Sequence, residues 1–431
     1  MTLLPDPATA DGHLPGTREY RRLVWALFAA GLATFALLYS TQALLTELSA
    51  EFGVSAAQST LTLSLTTLGL GAALLVTGPW SDRIGRTRLI HASLGLSAVV
   101  AVGCALAPTW ETLLGFRLLL GITLAGLPAV ATAYLREELH PSAHARAAGL
   151  YIGGTALGGM AGRLVTGPVA ELAGWRWALA AAAALGIACA LAVTALLPRS
   201  QRFSPATGGA VSVLRMARRA LADPALLCLY VIGGCSVGAL VAVFNVLGFR
   251  LQDPPFGLGV GVASLLFLAY PVGTLSSAFS GRLADRVGRR AVLPVGAVVA
   301  VLGLLLTLPD SVPFIALGLC VMIAGFFAIH GVASGWVPAR AHAGGISTGQ
   351  AASLYLFTYY AGSSVFGSLS GRAFTAAGWP AVVALAAVLL LVSGALALAL
   401  RRTPSLLPAS PTQASQPSGR SRLGSFPTTS R

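Results

Sequence analysis

Twelve apolar stretches, most of them about 20 residues long, alternate with short polar connections along this chain. An α-helix of that length spans the ~30 Å of hydrocarbon in a bilayer. The pattern predicts an all-α membrane protein rather than a β-barrel, in which polar and apolar residues would alternate over strand-length segments. The predicted transmembrane helices cover residues 23–46, 58–79, 89–107, 112–135, 147–170, 177–197, 225–248, 259–280, 291–308, 314–337, 351–374 and 381–400.

The two halves of the chain resemble each other at a nearly constant spacing. The segment Gly-Pro-Trp-Ser-Asp-Arg-Ile-Gly-Arg at 78–86 has a counterpart at 281–289, which is 203 residues later. The Gly-Trp pair at 174–175 returns at 378–379, after 204 residues. The repeat predicts two six-helix bundles in parallel duplication, with a substrate site near the membrane midplane between them.

This duplication divides the chain into five predicted parts. The bundles occupy residues 23–197 and 225–400, and a cytoplasmic linker, 198–224, joins them. Within the linker, the basic and partly amphipathic stretch 211–221 either lies on anionic headgroups or forms a solvated turn. Residues 1–22 form an N-terminal tail, and the Pro- and Ser-rich segment 401–431 is predicted to be disordered.

Composition and charge agree with a membrane location. Hydrophobic residues make up 55% of the chain and charged residues only 10%, whereas soluble proteins carry about a quarter charged residues. All 28 basic residues are arginines, and 23 lie in alternate connections and the tails; the other connections hold only Arg176 and Arg250. This asymmetry predicts a multi-pass protein of a bacterial inner membrane with both termini in the cytoplasm. It also explains the net charge of +14 without a nucleic-acid partner.

The repeated segment has the pattern Gly-x-x-x-Asp-Arg-x-Gly-Arg, and it resembles the signature loop of the major facilitator superfamily. The second copy fits fully, whereas the first has Trp80 and Thr87 at positions where Leu and a basic residue are usual. The resemblance implies a cytoplasmic gate in which glycines permit tight turns and close helix approach. We expect its carboxylates to lie at helix N-termini and its arginines to pair with acids of the opposite half. The gate residues are Gly78, Asp82, Arg83, Gly85, Arg86, Gly281, Asp285, Arg286, Gly288 and Arg289.

Two further segments resemble motifs of this superfamily. Residues 113–126, with Arg117 at their centre, are similar to the family's motif in the fourth helix, whose buried arginine is associated with proton coupling. The glycine-rich stretch 153–168 is similar to the antiporter motif of exporters, although its Gly-Pro pair comes late. The resemblance covers residues 20–402 and implies the major facilitator fold. It points to the drug:proton antiporter branch, and within it to sugar and arabinose efflux permease-like proteins.

Polar residues inside the predicted helices are the candidates for the transport path. Arg163 lies about 18 Å from the interfacial Trp175, near the midplane, where an arginine normally faces a cavity or a partner. No Asp or Glu lies mid-helix; the possible proton carriers are Glu47, the pair Glu137 and Glu138, and His330. We expect Glu47 to pair with Arg163 if helices 1 and 5 touch. With the family's path-lining helices, the candidate residues are Tyr39, Gln42, Glu47, Arg117, Arg163, Asn245, His330, Tyr355, Tyr359 and Tyr360.

These features predict a secondary transporter, not an enzyme, in which the halves rock about a central site. Proton-coupled efflux of a small amphipathic solute, such as a drug, sugar or metabolite, is the first hypothesis. Uptake or exchange of an organic anion is the second, because the deep arginines would attract one; a non-transporting receptor or scaffold is a third. The expected partners are the solute, protons and the lipid bilayer, and we expect a monomer with no cofactor or metal. The five cysteines, all in apolar stretches, are expected to be buried hydrophobes.

Overall fold

Residues 12–200, 202–203 and 210–404 are described here from a computed structural model. The predicted disorder after residue 404 and the first eleven residues of the N-terminal tail lie outside them. The linker stretch 211–221 belongs to a helix, in which the side chains are described only from residue 215 onward.

The first half consists of α1 to α9. They are α1 (Arg18–Tyr39), α2 (Leu45–Phe52), α3 (Ala56–Ser59), α4 (Leu61–Ile84), α5 (Arg86–Ala105), α6 (Trp110–Leu124), α7 (Gly126–Glu138), α8 (His144–Ala173) and α9 (Trp175–Leu196). Helices α6 and α7 follow each other across Ala125 and make one crossing. Six membrane crossings result.

The linker contains α10 (Ala210–Ala222). The second half consists of α11 (Pro224–Gln252), α12 (Val260–Ser264), α13 (Tyr270–Val287), α14 (Arg289–Leu306), α15 (Val312–Ala343) and α16 (Thr348–Ala399). A 3₁₀ turn, Leu265–Ala269, joins α12 to α13 in one crossing. Helix α16 breaks at Ala377 and Gly378, and Gly378 has a φ of +67°. The two arms of the helix on either side of this break make two crossings.

The prediction of twelve helices in two bundles is confirmed. Ten helices of the described chain are long and apolar enough to span a membrane. That number counts both arms of α16 as one segment and leaves out the glycine-rich α8. The duplicated architecture gives the molecule two ends. The linker face carries α10 and the loops after α4 and α13, and the far face carries the loops after α1, α5, α8 and α11.

A row of glycines joins α8 to α1. A Cβ atom on Gly154, Gly158 or Gly162 would collide with a backbone carbonyl of α1, at Phe28, Leu32 and Ala36 respectively. Because these glycines recur every fourth residue, they lie on one face of α8 and let the two backbones touch. This close contact brings Arg163, the residue after Gly162, against the end of α1.

The two halves meet in the part of the interface nearer the far face. Thr46 bonds Gln252, Gln42 bonds Asn245, Glu171 bonds the Gly261 amide and Ser64 bonds Ser368. The fifth bond between the halves joins Arg163 to Tyr270. No other hydrogen bond links the two halves within the described ranges. The structure is therefore closed on its far face.

Candidate functional site

The first crossing ends earlier than predicted, and this break creates the site. The sequence predicts one helix over 23–46, but α1 stops at Tyr39 and the chain turns through residues 40–44 before α2. Arg117 explains the break. Its guanidinium donates to the carbonyls of Leu37 and Leu38 and to the Ser40 hydroxyl, and its Nε donates to the Thr62 carbonyl. These bonds satisfy carbonyl groups that the end of a helix leaves open.

Arg117 is fully buried and makes all these bonds within the first half. The Cys104 thiol also lies against its guanidinium. Arg117 thus holds the turn that carries Gln42, and it lies in the wall behind the site.

Gln42 connects the two halves, and both the nitrogen and the oxygen of its side-chain amide form hydrogen bonds. Its Nε2 donates to Asn245 Oδ1 at 2.7 Å, and its Oε1 accepts from Arg163 Nε at 2.6 Å. Asn245 in turn donates to the Gly367 carbonyl. Both amide side chains are buried. They form a continuous polar chain from α8 in the first half to α16 in the second.

Arg163 is the charged centre of this chain and has no exposed surface. Besides Gln42, it donates to the Gly159 carbonyl at 2.6 Å and to the Tyr270 hydroxyl at 3.2 Å. The guanidinium carbon lies 4.0 Å from the ring centre of Tyr39, 4.6 Å from that of Tyr270 and 4.9 Å from that of Phe267. Aromatic faces attract a cation and replace some of its hydration.

The expected pair between Glu47 and Arg163 is absent. Among the described residues, Arg163 takes part in no ion pair. Glu47 lies in α2, beyond the first crossing, and its pKa is raised by burial and by the negative charge of Glu171. The break after Tyr39 carries Glu47 past the level of Arg163 and leaves the nearer Gln42 as the partner.

A second cluster, of aromatic residues, lies nearer the linker face. The His330 ring stacks with Phe326 at 5.7 Å and lies 4.8 Å from Tyr359, and its Nδ1 is 3.0 Å from the Tyr355 hydroxyl. Tyr359 also meets Tyr360 edge to face at 5.2 Å. His330 and Tyr359 remain partly exposed. They therefore offer an accessible aromatic wall.

The two clusters adjoin. The Tyr359 phenol lies within electrostatic range of Tyr39 and Tyr270, which cover Arg163. Of the candidate path residues, the structure places Tyr39, Gln42, Arg163 and Asn245 in one cluster and His330, Tyr355, Tyr359 and Tyr360 in the other. Glu47 and Arg117 lie outside both.

Phe267 and Tyr270 are not among the residues that the sequence predicts for the path. Both lie on the second-half side of Arg163, three residues apart, where the chain passes from a 3₁₀ turn into α13. Their spacing places them on one face of the crossing. The available signal was an aromatic pair at helical spacing in the predicted helix 259–280.

The gate loops differ from expectation in three respects. Asp82 and Asp285 lie in the last turns of α4 and α13, not at helix N-termini. Arg86 pairs with Asp82 and Glu137 of its own half rather than with an acid of the other. Space around the Gly78 and Gly281 α-carbons is open, so these glycines bring no helices together.

The other gate glycines have a clear backbone role. Gly85 and Gly288 have φ of +98° and +90° and connect α4 to α5 and α13 to α14. A residue with a Cβ disfavours such angles. In the second loop, Arg289 Nη1 is buried and has no hydrogen-bond partner among the described residues. The two loops therefore share their turn but not their charge pairing.

Comparison with known proteins identifies the family to which this architecture belongs. Residues 23–277 and 246–428 match the family model for the Major Facilitator Superfamily. The chain is 41% identical over 378 residues to the inner membrane transport protein YnfM of Escherichia coli K12, across 88% of this chain and 90% of that protein. It is 37% identical over 379 residues to the uncharacterized MFS-type transporter YybF of Bacillus subtilis 168, across 88% and 93%.

Solved structures agree on the fold. A bacterial homolog of the human lysosomal transporter Spinster, in an inward-facing and unoccupied conformation, superposes with a TM-score of 0.71 at 18% identity, covering 90% of this chain and 98% of that one. The nucleoside transporter NupG gives a TM-score of 0.67 at 17% identity, over 88% and 98%. The duplicated bundles, the paired loops and the extent of these matches lead to one conclusion: the chain belongs to the Major Facilitator Superfamily and is a membrane transporter, not an enzyme.

Proposed function

We propose that the protein moves a small amphipathic solute across the bacterial inner membrane by alternating access, in exchange for protons. One observation carries the proposal: a buried polar cluster and an accessible aromatic wall adjoin where the halves meet, and the bonds between the halves lie within the polar cluster or beyond it, on the far-face side of the aromatic wall. Apolar walls with a few oriented polar groups are typical of small-molecule sites.

The proposed orientation follows the arginines. Connections on the linker face carry most of them, and those on the far face carry Arg176 and Arg250. Under the positive-inside rule the linker face is cytoplasmic, together with both termini. The face that this conformation closes is then the periplasmic one.

Opening the far face requires the halves to rock apart there and to approach at the gate loops. The unpartnered Arg289 Nη1 supports this motion, because a buried donor without a partner is costly and gains one when the loops close. Arg86 is already paired with Asp82 and Glu137, so we expect Arg289 to form the new contact.

Glu47 is the proposed proton carrier. It is half-buried beside the closed far-face contact, and its pKa is raised by burial and by Glu171, which itself bonds the Gly261 amide across the interface. Opening would hydrate both carboxylates and lower the pKa of Glu47. Protonation would therefore differ between the two conformations, as coupling requires.

Export is the proposed direction, on the resemblance of the glycine-rich α8 to the exporters' motif. Proteoliposomes with an imposed pH gradient and a panel of dyes, sugars and organic anions test direction and coupling together. Gradient-driven movement of a panel member supports the proposal, and Glu47→Gln should abolish its proton dependence. Transport by Glu47→Gln with the wild-type proton dependence would remove Glu47 as the carrier.

The aromatic wall has its own test. Tyr359→Ala should raise the KM for the transported solute roughly tenfold, because an aromatic contact is worth about 0.5–1.5 kcal/mol beyond its area. Tyr359→Phe keeps the ring and should stay within about twofold of wild type. Equal KM values for both variants would place solute binding elsewhere.

A further inference from the structure

We propose that the transported solute carries a carboxylate or a similar oxyanion, that this group binds Arg163 in place of Gln42 and Tyr270, and that its binding favours the conformation open at the far face. This inference rests on the proposed function, because it names the solute class for the same site. It develops the organic-anion hypothesis from the contacts around one guanidinium.

Arg163 is fully buried, and every hydrogen-bond partner that the described chain gives it is neutral: an amide, a backbone carbonyl and a phenol. An arginine deep in a membrane helix costs at least about 2.5–3.5 kcal/mol, and such residues usually pair with another ionisable group or with backbone carbonyls, as Arg117 does. Arg163 bonds only one carbonyl in the described chain. A cation kept at this cost without an anion is poised to bind one.

A guanidinium offers a carboxylate two parallel N–H groups, and the edge formed by Nε and Nη2 is one such fork. In Arg163 this edge is held by Gln42 Oε1 on Nε and by the Tyr270 hydroxyl on Nη2. Two separate neutral oxygens thus occupy the positions that the two oxygens of one carboxylate would fill. Nη1 stays bound to the Gly159 carbonyl and fixes the orientation of the fork.

Tyr270 belongs to the second half, and Gln42 is held by Asn245, which also belongs to the second half. When the halves separate at the far face, Tyr270 leaves Arg163 and Gln42 loses Asn245. Nη2 is then free for an oxyanion, and Gln42, no longer fixed by Asn245, is able to turn away and leave Nε to the same group. A ligand that binds one conformation better shifts the population toward it, so anions should favour far-face opening.

The neighbouring surface suggests the rest of the solute. Tyr39 and Tyr270 cover the guanidinium, and Tyr359 and His330 continue the aromatic surface toward the linker face. An aromatic body attached to the oxyanion would stack on these rings. We therefore expect aromatic carboxylates as the solute class.

Cross-linking across the far face measures this shift. Thr46 and Gln252 touch at 2.8 Å between their side chains, so a Thr46→Cys and Gln252→Cys pair, with the five native cysteines replaced by alanine, reports closure. The probes are benzoate, 1-naphthoate and indole-3-acetate, each compared with its neutral amide. Carboxylates should slow disulfide formation several-fold at saturation, and amides should leave the rate unchanged.

Variants at the fork have opposite expected effects. Gln42→Glu supplies a permanent carboxylate to Arg163 and should abolish the response. Gln42→Met leaves Nε free and should increase carboxylate affinity. Arg163→Gln should abolish the response, and Arg163→Lys, which keeps the charge but loses the fork, should weaken it. Arg372→Gln makes the same replacement at an exposed arginine of α16 and should respond as wild type does.

The outcomes separate this inference from the proposed function. An equal response to amides and carboxylates, or a full response in Arg163→Gln, would contradict the anion inference and leave an amphipathic-solute transporter standing. Transport without any carboxylate effect on cross-linking would do the same. If no probe changes the cross-link and no panel member is transported, both proposals fail.

Discussion

Gln42 and Asn245 occupy equivalent positions in the two halves and hydrogen-bond to each other at 2.7 Å. They are 203 residues apart, the spacing of the duplicated gate loops. Each also contacts the fifth crossing of its own half. Gln42 accepts a hydrogen bond from Arg163, and Asn245 donates one to the carbonyl of Gly367. Gly367 lies 204 residues after Arg163 in the sequence. The site therefore lies on the axis that relates the halves.

The two halves share the same backbone arrangement around the site, but only the first half places a charged residue there. Gly367 stands where the first half has Arg163, and a Cβ there would come within 2.9 Å of Asn245 Nδ2 and 3.0 Å of Val241 Cγ1. The second half thus has no room for an equivalent side chain. One cation near the axis, rather than two, matches a solute with a single anionic group.

Replacing Asn245 by alanine should loosen the far face. The substitution removes the bond from Gln42 across the interface and leaves the one between Gln42 and Arg163. Because a buried hydrogen bond contributes about 0.5–1.5 kcal/mol, the open population should rise by roughly twofold to tenfold. The Thr46→Cys and Gln252→Cys cross-link should form correspondingly more slowly. Ser236→Ala is the matched control, since Ser236 lies buried in the same helix and, within the described ranges, its hydroxyl donates only to the Ile232 and Gly233 carbonyls of that helix. Equal rates in both variants would argue against a role for the amide pair.

Arg117→Lys should destabilise the protein without changing its response to pH. A lysine cannot reach Thr62, Leu37 and Leu38 together, so at least two charge-assisted bonds of about 1.5–3 kcal/mol each are lost. The melting temperature in detergent should fall by several degrees. The pH profile of transport by the folded fraction should match wild type, because Arg117 lies behind the site. A shifted profile with unchanged stability would instead support the proton-coupling role of this position in the family.

The gate glycines should differ in their tolerance of alanine. Gly288→Ala places a Cβ at φ of +90° and should cost about 1–2 kcal/mol. Gly281→Ala adds a methyl group in open space within a helix and should be neutral or slightly stabilising. Thermal unfolding of both variants tests this. A larger loss for Gly281→Ala would indicate that Gly281 is needed in the other conformation.

The carboxyl of Glu47 should show a pH dependence controlled partly by Glu171. Its pKa is raised by burial first and by Glu171 second. A raised folded-state pKa gives stability that is present at low pH and is lost as pH rises through that pKa. Glu171→Gln removes the charge but keeps an acceptor for Gly261, so the loss should move to lower pH without disappearing. Melting temperatures measured across pH 4–8, relative to Glu47→Gln, would show the shift; an unchanged profile would mean that the two carboxylates do not interact.

Several features of the protein follow from its sequence because they depend on short segments. Twelve crossings follow from apolar runs that match the bilayer thickness, and the parallel halves follow from the repeated loops. Gly85 and Gly288 take backbone angles that only glycine adopts readily, so their place in a tight turn was also readable. The predicted distance of Arg163 from the membrane surface identified it as a residue buried near the midplane.

Tertiary structure decided which side chains meet. Glu47 was the acid nearest in sequence to the end of the first crossing, but the turn that Arg117 holds after Tyr39 presents Gln42 to Arg163 instead. Phe267 and Tyr270 reach the same guanidinium from the other half, and Arg86 finds its acids in its own half. These contacts depend on the rotation of each helix about its axis and on the separation of the halves. Both are set by packing between segments that lie between 51 and 121 residues apart, which hydropathy and spacing do not record.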